Sequence, residues 1–282
     1  MTQISKTSAI FIDLYNIRPK TPDLHLLGEV SHQFANLPWE NLTKFIKKHQ
    51  PANPHRPGSD AQILPPSETA PLRRSEEVIG DHALVGTGGT CFSLTNALRR
   101  ITGDLGFKTY PVMADMKHGA NIHCALMVEL GDRRFLLDPG YLVPEPISLN
   151  SARATTIRLP GYRLEYRPVN QGKEIGLYMV NDRGEETYRY RLRPWGIPEE
   201  NFIQFWIQSF ETSGMNQLHL NRVTSDARLS AHGMNLRVDT GRDKENVKLR
   251  GSYAEQIAAR FGISQKIAQC AVEEWERQQC RK

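Results

Sequence analysis

The residue types that could do chemistry gather around one thiol. Cys91 follows Gly86-Thr87-Gly88-Gly89-Thr90, and beyond it Leu94, Leu98, Ile101 and Leu105 recur on one helical face, with Gly106 as a stop. Thr90 is placed to cap that helix, which puts Cys91 in its first turn. There the free backbone N–H groups and the helix dipole favour a thiolate over a thiol. Gly88 and Gly89, with Thr90, form a loop whose backbone can approach a substrate closely and aim N–H groups at a developing oxyanion. A buried small hydrophobe behind a flexible loop is the competing reading of the same residues.

A nucleophilic thiol needs a base, and a base needs something to orient it. The segments 122–130 and 134–138 flank Gly131-Asp132, the signature of a β-hairpin. Side chains alternate along the first strand, so His123, Ala125 and Met127 share one face while Cys124, Leu126 and Val128 share the other. Closing the hairpin at Gly131-Asp132 places His123 and Asp138 on the same face of neighbouring strands, as diagonal neighbours. Asp138 can then accept from one imidazole nitrogen and leave the other to take a proton from a thiol. Cys124 points the opposite way and reads as core.

The elements that must position these groups change character along the chain. The first third is helical in pattern. Thr21-Pro22 reads as a cap and first helical position, Leu24, Leu27, Val30 and Phe34 follow at helical spacing, and Pro38 marks the end. A second short helix starts near Asn41. Prolines at 51, 54, 57, 65, 66 and 71 mark an exposed, semi-extended loop. The middle third has the period of strands, with a second hairpin turning at Asn181-Asp182-Arg183-Gly184. Near the end, 253–261 and 264–275 read as two helices separated by Gly262. The fold class expected is α+β: a helical N-terminal domain (1–108) carrying the cysteine, an antiparallel β-barrel or sheet (109–212) carrying His123 and Asp138, and a C-terminal α/β lid (213–282).

At these residues the sequence resembles the arylamine N-acetyltransferases, within the wider transglutaminase-like group that shares a Cys-His-Asp core. The resemblance runs through Leu37-Pro38-Trp39-Glu40-Asn41-Leu42, Gly88-Gly89-Thr90-Cys91-Phe92, His123 with Val128-Glu129, Leu137-Asp138-Pro139-Gly140-Tyr141 and Phe261-Gly262-Ile263. It implies acetyl transfer from acetyl-coenzyme A, a co-substrate rather than a resident cofactor, onto Cys91 and then onto a small aromatic amine or hydrazine. By position Cys91, His123 and Asp138 match the triad, and Trp39 and Tyr141 match aromatic positions lining the acceptor cleft. Thr87 stands where the family usually has Arg, so Glu40 needs another ion-pair partner. Ser93, Thr95 and Pro139 also depart from the family pattern. The same triad could instead pass its acyl group to water, as a hydrolase, or to a tethered amine, as an amide synthase.

Composition excludes other classes. With 36 basic and 31 acidic residues the net charge is +5, compatible with an anionic small ligand and weak as an argument for nucleic acid. Residues 258–264 have helix-turn-helix spacing, but Glu273, Glu274 and Glu276 would face phosphates unfavourably. Four cysteines without a CxxC pair argue against a disulfide framework or a thiolate metal site. Uninterrupted apolar runs are too short for a membrane span, and the first sixteen residues carry no secretory pattern. A reduced, cytoplasmic protein is the expectation.

Overall fold

The computed structural model describes residues 4–49, 72–149, 152–212, 214 and 216–280. The proline-rich stretch expected as an exposed loop lies outside the described residues.

The N-terminal part is built from α1 (Lys6–Tyr15), α2 (Leu24–Phe34), α3 (Leu42–His49), α4 (Ser75–Val85) and α5 (Cys91–Asp104). The stripe expected on α5 is its buried face: Leu94, Leu98 and Ile101 pack with Phe11, Leu27 and Val30 in one cluster. Burying each such side chain is worth about 2 kcal/mol, enough to hold the helix that presents the thiol. Two caps differ from expectation. Asp23, not Thr21, caps α2, its carboxylate accepting from Leu26 N–H at 2.6 Å. The acceptor must stand directly before the first helical residue to reach the third N–H, and Thr21 is two positions too early. Thr90 does occupy the N-cap of α5 in an extended conformation, but its hydroxyl makes no capping bond.

Eight antiparallel strands form the central sheet. Their order is β5 (Ile147–Ser148), β4 (Arg133–Leu137), β3 (Gly119–Leu130), β2 (Lys108–Met116), β9 (Glu186–Leu192), β8 (Glu174–Asn181), β7 (Tyr162–Val169) and β6 (Thr155–Leu159). The β3–β4 hairpin turns at Gly131-Asp132 with Leu126 opposite Leu137, the register the sequence specified. Ala125 and Met127 face the inner side with Val112, Tyr190 and Leu192. Leu126 and Val128 face outward against α5. His123 is therefore delivered to the inner face while the helix bearing Cys91 lies on the outer one.

A second sheet runs β1 (Trp39–Glu40), β10 (His219–Val223), β11 (Arg228–His232), β12 (Asn235–Asp239) and β13 (Lys244–Lys248). It is backed by two helices, Tyr253–Phe261 and Gln265–Cys280. Its first strand comes from the N-terminal part. Leu42 and Phe45 of α3 are likewise buried with Leu220, Ile257 and Phe261. The segment around Trp39 thus ties the C-terminal sheet to the cysteine loop. No helix among the described residues is long and apolar enough to cross a membrane.

Candidate active site

The cysteine loop is held from behind by the Pro38–Glu40 segment. Glu40 N–H donates to Gly89 O at 3.0 Å and Gly89 N–H donates to Pro38 O at 3.3 Å. A Cβ on Gly88 would lie 1.8 Å from Pro38 O, and one on Gly89 2.3 Å from Ser93 Oγ. Both glycines are therefore required by the protein's own close packing. The N–H of Gly89, one candidate oxyanion donor, is engaged by Pro38.

Glu40, fully buried, accepts from Thr43 N–H at 2.9 Å and Thr43 Oγ1 at 2.7 Å. It also faces the Arg73 guanidinium at 3.5 Å. Arg73 is buried as well and donates to Gly88 O, to Asp81 Oδ2 at 2.9 Å and to Thr87 Oγ1 at 3.4 Å. So the charge that Thr87 does not supply arrives from Arg73, further back in the chain. No sequence motif pointed to it.

Cys91, His123 and Asp138 come together. His123 Nε2–H donates to Asp138 Oδ1 at 3.1 Å, which turns Nδ1 toward the thiol. Gly140 fixes that approach: a Cβ there would sit 2.6 Å from His123 Cε1, 3.3 Å from Nδ1 and 2.9 Å from Cys91 Cβ. The second carboxylate oxygen, Asp138 Oδ2, accepts from Tyr190 OH at 2.6 Å and from Tyr166 OH at 3.5 Å. Tyr190 also stacks on the imidazole at 4.8 Å, and Tyr141 meets it edge-on at 5.3 Å. All three side chains are nearly inaccessible, with 8% of Cys91, 4% of His123 and 1% of Asp138 exposed.

The titration of these groups is linked. Burial works against a charged His123. Yet the Asp138 carboxylate, its hydrogen bond and the neighbouring thiolate outweigh that and raise the imidazolium to about 10. Cys91 is held well below the ordinary thiol value. A hydrogen bond from Cys124 leads, opposed by burial, with the His123 bond and charge and the Lys44 charge adding to it. The Cys124 thiol itself is pushed well up by burial, and its S–H lies 3.6 Å from Thr95 Oγ1 as donor. The arrangement is a thiolate–imidazolium pair with a carboxylate behind it, in which the two protons titrate jointly.

Lys44 is a further cation that no sequence motif singles out. Burial lowers it to about 7. Its ammonium donates to Ser209 O at 2.8 Å and Ser209 Oγ at 2.9 Å and lies 4.0 Å from the centre of the Phe210 ring. Phe210 belongs to the same buried cluster as Cys91 and Cys124. Cys124 is core, as strand alternation implied, but it is also the thiol's neighbour. Cys91 sits at the end of a helix packed on the outer face of β3, so it meets Cys124 from that side and His123 from the other. Trp39 and Tyr141 are half-buried. Trp39 packs edge-on to His219 at 5.0 Å, and the Tyr141 hydroxyl accepts from Arg189 Nε–H at 3.0 Å.

An α+β frame brings a helix-borne thiol against a strand-borne imidazole and carboxylate, groups whose chemistry suits acyl transfer or hydrolysis. The comparisons narrow it. Residues 76–269 match the family described as N-acetyltransferase, and the chain belongs to that family. Its fold is shared by the arylamine N-acetyltransferase of Mycobacterium marinum, at 18% identity and TM-score 0.73, covering 96% of this chain and 98% of that one. It is also shared by the Mycobacterium abscessus enzyme, at 14% identity and TM-score 0.72 over 95% and 94%. A Bacillus cereus arylamine N-acetyltransferase, described as having a Cys-His-Glu triad, matches at 18% identity and TM-score 0.69 over 92% and 99%. No curated protein matches in sequence.

Proposed function

We propose that this N-acetyltransferase carries an acetyl or related acyl group on Cys91, taken from acyl-coenzyme A and passed to a small aromatic amine or hydrazine in a ping-pong cycle. The reading rests on the Cys91–His123–Asp138 contact within a chain of this family. In the first half, the Cys91 thiolate attacks the thioester carbonyl. The intermediate collapses as the carbon–sulfur bond to coenzyme A breaks, and the leaving thiolate takes the His123 proton. In the second, the amine attacks the Cys91 thioester, His123 accepts the amine proton, and the thiolate–imidazolium pair is restored. Asp138 keeps the imidazole oriented and stabilises its charged form in both halves. Trp39 and Tyr141 would flank the acceptor ring.

Intact-mass analysis with acetyl-coenzyme A tests this. One acetyl mass should appear, vanish in Cys91→Ser, and be discharged faster by an arylamine than by water. Acetylation mapping to Cys124, Cys270 or Cys280 would overturn the assignment. Discharge as fast without amine would make the protein a hydrolase.

A further inference from the structure

Cys91 has a second thiol beside it that the acyl cycle does not use. Residues four apart on a helix share a face, so Cys91 and Thr95 present one edge of α5 to β3. Contacts run in step along that edge. Cys91 Sγ lies 3.9 Å from Ile122 O, and Thr95 Oγ1 donates to Cys124 O at 3.4 Å. The Cys124 thiol reaches back to Thr95 Oγ1 at 3.6 Å. Both sulfurs belong to one buried cluster, shared with Phe92, Met113 and Trp206. Cys270 and Cys280 lie on the last helix, outside that cluster.

The two sulfurs differ in reactivity. Cys91 is held below the ordinary thiol value, with Cys124 as its leading hydrogen-bond partner, so it is the nucleophile of the pair. Burial pushes Cys124 up, which leaves it inert toward an oxidant on its own. Beside an electrophilic sulfur the balance changes, because adjacency replaces the thiolate fraction that burial takes away.

We propose that Cys91 and Cys124 form a peroxide-responsive pair, in which Cys124 captures oxidised Cys91 as an internal disulfide that reversibly stops acyl loading. The Cys91 thiolate attacks one oxygen of hydrogen peroxide, the O–O bond breaks, and the departing hydroxide takes the His123 proton and leaves as water. The Cys91 sulfur, oxidised by two electrons, is then a sulfenic acid. The Cys124 sulfur attacks it, the S–O bond breaks, and the hydroxyl leaves with the Cys124 proton as a second water. In all, two thiols give two electrons to one peroxide, and an external dithiol returns them by exchange. While the disulfide stands, Cys91 has no thiolate to load. The bond also keeps that sulfur from the sulfinic acid, which a dithiol does not reverse. The proposal needs Cys91 to be the reactive thiol, and it adds a regulation of the site that the transferase reading uses.

The test treats the full chain with hydrogen peroxide. It reads intact mass, peptides mapped without reduction, and acetyl loading from acetyl-coenzyme A before and after dithiothreitol. The wild type should lose two hydrogen masses, show a Cys91–Cys124 link, lose loading at least ~10-fold and regain nearly all of it on reduction. Cys124→Ala, compared with its own untreated rate, should instead gain oxygen at Cys91 and recover little. An unreacted Cys91, oxygen added there without a link to Cys124, or a link that maps to Cys270 or Cys280 would each overturn the proposal. All three are read on the wild type, whatever the variant's folding. Prior acetylation should protect the pair, since a thioester has no thiolate to oxidise. A link formed as fast after acetyl-coenzyme A treatment would count against the transferase reading and leave the disulfide standing.

Discussion

Two buried carboxylates flank the cysteine loop, and their partners set them apart. Asp138 faces an imidazole, which can give up its proton; Glu40 faces the Arg73 guanidinium, which cannot. Around Asp138 the partners are aromatic hydroxyls and one titratable ring. Around Glu40 they are a threonine hydroxyl and N–H, with the guanidinium that also grips the glycine loop through Gly88 O. The first region holds a proton where it can move. The second holds a backbone where it cannot. A buried charge alone does not mark chemistry; what it is paired with does.

The largest expected effect breaks the first region and spares the fold. Asp138→Asn keeps the shape and an acceptor for Tyr190, but it removes the charge that holds His123 protonated. The acylation rate should fall ~10³-fold or more, as in other triads that lose this carboxylate, with little change in the unfolding midpoint. A rate within about threefold of wild type, read by stopped-flow release of coenzyme A, would place Asp138 in Glu40's structural class.

Adding one methyl group to each region sharpens the contrast. Gly88→Ala drives a Cβ into Pro38 backbone, which has no room to give, so about 3 kcal/mol of stability should be lost. Arg73→Met leaves Glu40 buried without its cation and should cost about 3 kcal/mol as well. Both losses are measurable by urea unfolding. Gly140→Ala pushes on side chains instead, against His123 Cε1 and Cys91 Cβ. Its stability should change less, while acylation falls ~10²-fold through misplaced reacting groups. Equal stability losses in Gly88→Ala and Gly140→Ala would dissolve the distinction.

The first region was legible in the sequence and the second largely was not, for a physical reason. Strand alternation and a two-residue turn fix the relative face of His123 and Asp138, and helical periodicity fixes the place of Cys91. Those are short-range rules acting on nearby residues. The Glu40–Arg73 pair joins segments 33 positions apart with no shared period. Tyr190 reaches Asp138 across 52 positions, through the strand order of a sheet that no local pattern specifies. Cys124 shows the limit in another way. Its face was read correctly from alternation, yet its contact with Cys91 depends on where α5 crosses β3. That crossing is decided by packing of the whole helix.

The smallest expected effects lie within the thiol's own surroundings and appear only against pH. Alkylation of Cys91 by a small neutral reagent reports thiolate, and the depressed thiol should keep it fast well below pH 9. His123→Ala removes both a hydrogen bond and a charge that persists to about pH 10, so the profile should move upward across its whole range. Cys124→Ala removes a neutral S–H donor, a weak one in isolation, and should move the profile upward by less. Lys44→Met has a distinctive shape. The Lys44 ammonium loses its proton as pH rises through about 7, so it can favour the thiolate only below that point. Its removal should slow alkylation a few-fold, roughly 2- to 5-fold, near pH 6, the size of one screened charge at a distance, and leave the rate above pH 8 unchanged. A uniform slowing at all pH values would mean that Lys44 acts by packing against Phe210 and Ser209. No change at any pH would mean that the thiolate owes its stability to His123 and Cys124 alone.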